Sequence, residues 1–285
     1  MAEILRGAPV AAAIVASLIP RAERLREKGI VPKLRIFGVG PDESSLAYAR
    51  AAKKRCEKVG LDCDELFLSR ESSMDAVLTA IRDLNEDPAV HGCLLLRPLP
   101  KHLDEGTVCE ALSPMKDVDC VTNHSLSVVF TGRVKGFAPC TAESVVAILE
   151  HYGVSVSGRR AVVIGRSLVI GRPVSMLLQH RDATVTVCHS RTQNLPEVAR
   201  EAEILVVAAG CRGLVTAEFL RPGQTVIDVG VNVASDGSLC GDVDFAAAEP
   251  VVSALTPVPG GVGSVTTAIL CRHVIEAAER EEALQ

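Results

Sequence analysis

The stretch Ala161-Val162-Val163-Ile164-Gly165-Arg166-Ser167-Leu168-Val169-Ile170-Gly171-Arg172-Pro173 reads as a buried strand, a glycine-bounded loop and the first turn of a helix. Four consecutive apolar residues ahead of the first glycine suit a strand covered on both faces, as in a parallel sheet. Pro173 suits a first helical turn, where its missing N–H costs nothing. In a doubly wound sheet, this turn is where a dinucleotide pyrophosphate lies, against the exposed N–H groups of the helix start. Gly165 and Gly171 allow close backbone approach. The spacing is not G-x-G-x-x-G, so the loop alone fits either a nucleotide site or an ordinary strand–helix turn.

The next strand, 183–188, runs into His189-Ser190-Arg191-Thr192. Enzymes that use NAD usually place an acid here for the ribose 2′-hydroxyl. A cationic, hydroxylic end favours the 2′-phosphate of NADP. Arg166, on the neighbouring loop, can converge on the same phosphate, although a lone Arg191 also fits a solvated surface charge. Further outward the pattern keeps alternating: strands at 203–208 and 224–229, helices at 171–180, 194–201 and 265–283. The first half alternates too, with helices at 8–29, 42–59 and 73–86 and strands at Lys33–Val39, 61–68 and 92–96. Between the halves, 97–141 holds Pro98, Pro100, Pro114 and Pro139 and reads as irregular, the kind of segment that lines a site or joins domains. A helix follows at 142–153 and a strand at 160–165. The chain is therefore α/β, built on mainly parallel sheets.

The 285 residues suffice for two modest domains, and 48% hydrophobic with 23% charged residues is ordinary for a protein with a real core. A net charge of −5 gives no reason to expect a nucleic-acid partner. The ten cysteines include no C-x-x-C pair, which speaks against a zinc site or a redox dithiol and for buried free thiols in a reducing compartment. The N-terminus carries no signal-peptide pattern and no apolar run approaches the roughly 20 residues of a membrane span. The expectation is a soluble, cytoplasmic protein without metal.

Several segments together resemble one family, the bifunctional methylenetetrahydrofolate dehydrogenase/methenyltetrahydrofolate cyclohydrolases. They are Ser45-x-x-Tyr48, Arg97-Pro98-Leu99-Pro100, Lys116-Asp117-Val118-Asp119, Pro139-Cys140-Thr141, the 165–173 loop, Ile227-Asp228-Val229-Gly230, Gly241-Asp242-Val243-Asp244 and Thr256-Pro257-Val258-Pro259-Gly260-Gly261-Val262-Gly263. The resemblance implies an N-terminal α/β folate domain over 1–141, completed by a C-terminal helix at 264–285. It implies a Rossmann-like NADP-binding domain over 142–263, a cleft between the two, and a homodimer. It assigns Tyr48 and Asp119 to catalysis. Tyr48, Leu96, Asp119, Pro259, Gly260 and Gly261 would bind tetrahydrofolate derivatives, with Asp119 on the amino-pyrimidine edge of the pterin. Gly165, Arg166, Ser167, Gly171, Pro173, His189, Ser190, Arg191 and Val231 would bind NADP.

The chain also departs from that family. The family's catalytic lysine stands four residues after the tyrosine, where this chain has Ala52. Lys53 and Lys54 follow, but at roughly 100° per residue position i+5 lies about 140° from Tyr48, against about 40° for i+4. The family's glutamine before the proline string is Leu96 here. Cys120 replaces a glycine, Ala142 a proline, and Ser264-Val265 a Pro-Met pair. A lysine can manage protons where alanine cannot, and Arg97 stays protonated. The expected activity is therefore NADP-dependent oxidation of 5,10-methylenetetrahydrofolate to the methenyl form, with ring opening weak or lost. The alternatives are the full bifunctional enzyme producing 10-formyltetrahydrofolate, or a non-catalytic folate-binding paralogue.

Overall fold

The computed structural model describes residues 1–132 and 136–283. Its first half runs β1 (Glu3–Ile4), α1 (Gly7–Glu27), β2 (Lys33–Val39), α2 (Glu43–Val59), β3 (Asp62–Leu68), α3 (Met74–Glu86), β4 (Gly92–Leu95), α4 (Glu105–Glu110) and α5 (Asn123–Thr131). The second half runs α6 (Cys140–His151), β5 (Arg160–Ile164), α7 (Gly171–Gln179), β6 (Thr184–Cys188), α8 (Leu195–Arg200), β7 (Ile204–Val207) and β8 (Thr225–Asp228). It ends with the hairpin β9 (Asn232–Val233) and β10 (Leu239–Cys240), then α9 (Phe245–Ala248), β11 (Ala254–Leu255) and α10 (Thr266–Glu282).

The chain divides into two compact units. One holds Ala12–Cys140 and the chain from Thr267 onward, the other Met1–Ala11 and Thr141–Thr266. The sequence reading places 1–141 in a single domain. The first eleven residues instead join the second unit, because β1 pairs in parallel with β11, Glu3 opposite Ala254.

In the first unit β2 is the centre of a three-stranded parallel sheet of order β3-β2-β4. Val77, Ile81 and Leu84 recur at helical spacing on α3 and bury against Phe37, Val39 and Leu95 of the sheet. Local chemistry sets the helix ends. The Asp42 carboxylate accepts from Ser45 N–H and starts α2, and Gly60, left-handed at φ 87°, ends it. The 97–141 stretch is not irregular throughout. It contains α4 and α5, whose starts are capped by Asp104 and Thr122 side chains accepting from Thr107 and Ser125 N–H.

The second unit is a six-stranded sheet of order β1-β11-β8-β7-β5-β6, parallel throughout. Successive strands go first to one side of β5, to β6, and then to the other, through β7 and β8. The reversal makes the carboxyl ends of β5 and β7 a topological switch point, where doubly wound sheets bind ligands. The apolar strands that predict this sheet are buried: Val162, Ile164, Leu205, Val207 and Val226 share one core.

Candidate functional site

Gly165 leaves β5 at φ 123°, a conformation that L side chains rarely adopt. A β-carbon there would collide with the Ala208 carbonyl, and one at Gly171 would collide with the carbonyl of Gly165. The two glycines thus let the loop fold tightly over the switch point. No side chain caps the start of α7. Ser167 Oγ accepts from Ile170 N–H at 3.2 Å and shapes the loop just before it. Pro173 is buried in the first turn of that helix.

Gly165 N–H donates to the Cys188 carbonyl at 2.9 Å, so the ends of β5 and β6 lie side by side. That places Arg166 and the turn 189–192 on one edge. Within the turn, His189 N–H donates to Thr192 Oγ1 at 2.9 Å, and Arg191 N–H reaches His189 Nδ1 at 3.2 Å. His189 is half-buried; Ser190 and Arg191 are exposed. Arg166, Arg172 and Arg191 are all exposed, and among the described residues none has a carboxylate within ion-pair distance. Glycines that admit a backbone-hugging ligand, an uncapped helix start and guanidiniums without acidic partners together fit a phosphorylated dinucleotide.

Val231 lies just beyond β8 and is exposed. It shares a cavity of about 330 Å³ with Pro259, Gly260 and Gly261. Sequence reasoning assigned Val231 to the cofactor and the other three to the substrate, and the structure brings them together within one unit.

The loops around that cavity are held by two buried aspartates to which sequence reasoning gave no role. Asp228 Oδ1 accepts from Gly230 N–H (3.0 Å) and Asp242 N–H (3.1 Å), while Oδ2 accepts from Val243 N–H (2.9 Å). Asp242 in turn accepts from the N–H groups of Ala209, Gly210 and Cys211 and from the Asn232 amide. Burial pushes the Asp228 carboxyl up to about 6 despite its backbone donors. The available signal was the recurrence of an aspartate and a glycine in both family strings.

In the first unit, Tyr48 is half-buried on α2 and Ala52 is buried one turn later. The Lys53 ammonium lies 3.8 Å from Glu65 on β3, and Lys54 is exposed. Leu96 is buried directly after β4, its N–H donating to the Phe37 carbonyl at 2.8 Å. Gly38 lies close beneath it, where a β-carbon would come within 3.4 Å of the Leu96 side chain.

The two aspartates of Lys116-Asp117-Val118-Asp119 differ. Asp117 is consumed internally, accepting from Val121 N–H, Thr122 N–H and Thr122 Oγ1. Lys116 caps the end of α3 by donating to the Leu84 and Asp87 carbonyls. Asp119 accepts from Cys140 N–H at 3.0 Å, and burial holds its carboxyl above the usual range. Cys120, at the family's glycine position, is left-handed with φ 58°.

None of the ten cysteines is in a disulfide, and Cys56 Sγ lies 3.8 Å from Cys271 Sγ. Among the described residues, no cluster of three His, Cys, Asp or Glu side chains is placed to hold a metal ion. No helix among them is long and apolar enough to cross a membrane.

Comparison with known proteins covers almost the whole chain. Residues 5–119 match the family model described as tetrahydrofolate dehydrogenase/cyclohydrolase, catalytic domain, and residues 139–282 the NAD(P)-binding domain of the same family. The chain is 48% identical over 281 residues to the bifunctional protein FolD of Carboxydothermus hydrogenoformans, with 98% of each chain covered. Among solved structures, the bifunctional FolD of Campylobacter jejuni superposes with a TM-score of 0.96 at 34% identity, over 99% of this chain and 100% of that one. The Trypanosoma brucei methylenetetrahydrofolate dehydrogenase-cyclohydrolase, complexed with NADP cofactor and inhibitor, gives 0.93 at 34% identity, over 99% and 98%.

Proposed function

The chain belongs to the tetrahydrofolate dehydrogenase/cyclohydrolase family, and from that premise we propose that it oxidises 5,10-methylenetetrahydrofolate to 5,10-methenyltetrahydrofolate with NADP, ring opening being weak or lost. The observation that carries the dehydrogenase reading is the glycine-lined end of β5 and β6, whose exposed guanidiniums have no carboxylate within ion-pair distance among the described residues. NADP, when bound, would supply the acceptor for the hydride leaving the methylene carbon. The chain's own part is placement. Gly165 and Gly171 admit the pyrophosphate to the start of α7. Arg166 and Arg191 neutralise the 2′-phosphate, with His189 and Ser190 beside them. Asp119 accepts two N–H donors from the amino-pyrimidine edge of the pterin, and Tyr48 packs near the reacting rings. Pro259, Gly260 and Gly261 complete the substrate-binding set. Holding donor and acceptor in line supplies most of what hydride transfer requires.

Opening the methenyl cation needs an activated water and a group that moves protons. Ala52 and Leu96 supply neither, and Lys53 is engaged beside Glu65. The second reading, a full dehydrogenase/cyclohydrolase, is favoured by the name of the 48% identical relative, a bifunctional protein. A homodimer in the cytoplasm, without nucleic-acid or membrane partners, belongs to the same proposal.

The test mixes purified protein with methylenetetrahydrofolate and NADP and follows NADPH and the methenyl chromophore separately. The expected result is equal formation of both, with methenyl decay at the rate of buffer alone. Decay well above that rate establishes the bifunctional reading. Absence of NADPH overturns the dehydrogenase.

A further inference from the structure

We propose that His273 is a positioning residue for the folate-anchoring carboxylate of Asp119, acting through the Val118 carbonyl; the inference rests on the substrate role given to Asp119 above. His273 is buried on α10, and its Nδ1 lies 2.8 Å from the Val118 carbonyl oxygen. A carbonyl only accepts, so Nδ1 carries the proton and donates. That carbonyl belongs to the peptide that leads into Asp119. The carboxylate itself accepts from Cys140 N–H at 3.0 Å, and Cys140 Sγ lies 3.7 Å from the same imidazole nitrogen. The carbonyl leading into Asp119 is therefore held by His273 at 2.8 Å and, at the longer 3.5 Å, by the Cys140 thiol, while Cys140 N–H holds the carboxylate.

The restraint has a load to resist. Cys120, the next residue, is held left-handed without being glycine, so the loop has a downhill direction in which to relax. Upstream, Asp117 is locked by its own donors and Val118 is wedged against Gly92, where any β-carbon would crowd its methyls. Motion released in this loop therefore falls on Asp119. Phe137 packs against the imidazole, with ring centroids 4.8 Å apart and planes tilted by 32°, and limits rotation of the ring. A carboxylate that accepts two parallel donors from a planar edge depends on direction as much as on distance.

The test is a KM-against-kcat comparison on the full-length protein. His273→Leu fills the site but lacks the donor, whereas His273→Asn places an amide N–H where Nδ1 stands. We expect the leucine variant to raise the KM for methylenetetrahydrofolate by about tenfold or more with kcat within about twofold, and the asparagine variant to restore most of the loss. An unchanged KM in His273→Leu, or equal loss in both variants, overturns the proposal. Should the leucine variant fail to fold, long-range ¹⁵N–¹H spectra of the unmodified protein decide: a His273 Nδ1 without a proton overturns it, and a protonated Nδ1 whose resonance moves on folate binding supports it. Asp119→Asn separates the two readings. Unaltered folate affinity in that variant removes the anchor itself. Weakened affinity there, with a normal KM in His273→Leu, leaves the anchor standing and removes the histidine.

Discussion

Asp228 and Asp242 fasten one another's loops: the Asp228 carboxylate accepts the N–H of Asp242 at 3.1 Å, and the Asp242 carboxylate packs against Gly230, two residues beyond Asp228. The relationship is reciprocal in its glycines. A β-carbon at Gly241 would overlap the Asp228 carboxylate, and one at Gly230 would overlap that of Asp242. Aspartate and glycine recur together in both strings because each carboxylate needs a bare backbone opposite it.

Gly230→Ala should therefore destabilise the fold by about 2–4 kcal/mol, since the obstruction is a buried carboxylate bonded to backbone N–H groups and not a flexible chain end. Urea unfolding measures this. An unfolding free energy within about 0.5 kcal/mol of the unmodified protein's would show that the two loops separate easily.

Asp228 should give stability an unusual pH dependence. Its folded pKa of about 6 lies above the ordinary 3.8, so the folded state holds that proton more tightly than the unfolded chain. The contribution is fully present below pH ~4 and is lost as pH rises through about 6, a loss of about 3 kcal/mol from a shift of that size. Asp64, held down to about 2 chiefly by the Arg35 hydrogen bonds, acts with the opposite sign: its contribution is present above pH ~4 and lost as pH falls through about 2. Unfolding curves from pH 4.5 to 7.5 should show the Asp228 component in the unmodified protein. Its persistence in Asp228→Asn would assign the slope to another group.

Arg191→Ala should weaken NADP by roughly tenfold or more and NAD by much less, because only NADP carries the 2′-phosphate. Titrating both dinucleotides checks this. Equal losses would mean that Arg191 supports the turn at 189–192 and not the phosphate.

Cys120 stands left-handed, at φ 58°, without being glycine. Cys120→Gly should be more stable than Cys120→Ala by about 1 kcal/mol, since both remove the thiol and only glycine relieves the φ of 58°. Thermal unfolding of the pair decides. An alanine variant of equal or greater stability would show that the backbone there bears no strain.

Ala52→Lys with Leu96→Gln should create measurable methenyltetrahydrofolate hydrolysis above the buffer rate. Ala52→Lys alone should do less, because both positions are buried and an ammonium facing Leu96 lacks a hydrogen-bond partner. Hydrolysis by the single variant equal to that of the double would show that the glutamine is dispensable.

The backbone of the loop between β5 and α7 was legible in the sequence because its chemistry is local. Gly165, Gly171 and Pro173 each report a backbone conformation that few other residues accept, and the apolar run of β5 reports burial on both faces. The helix carrying Tyr48 was legible for the same reason, through its Asp42 cap and its stop at Gly60. Likeness of motif singled out Asp119 for the proposed folate site, but no local pattern separates it from Asp117 two residues earlier. Only the folded loop shows Asp117 spent on Val121 and Thr122 while Asp119 is held by Cys140.

By itself the sequence determined the α/β class, the alternating elements and the glycine-bounded loop between β5 and α7, all properties of residue type within a few positions. The tertiary structure alone decided the rest. The two-residue strands β1 and β11 are too short to carry a periodicity and exist because they pair across some 250 residues. α4 and α5 lie hidden among prolines and charges, although their caps at Asp104 and Thr122 were readable. The mutual grip of Asp228 and Asp242 spans 14 residues, and the reach of His273 to the peptide before Asp119 spans 155. Hydrogen bonds of that kind leave no spacing to read, because the fold and not the intervening sequence sets their distance.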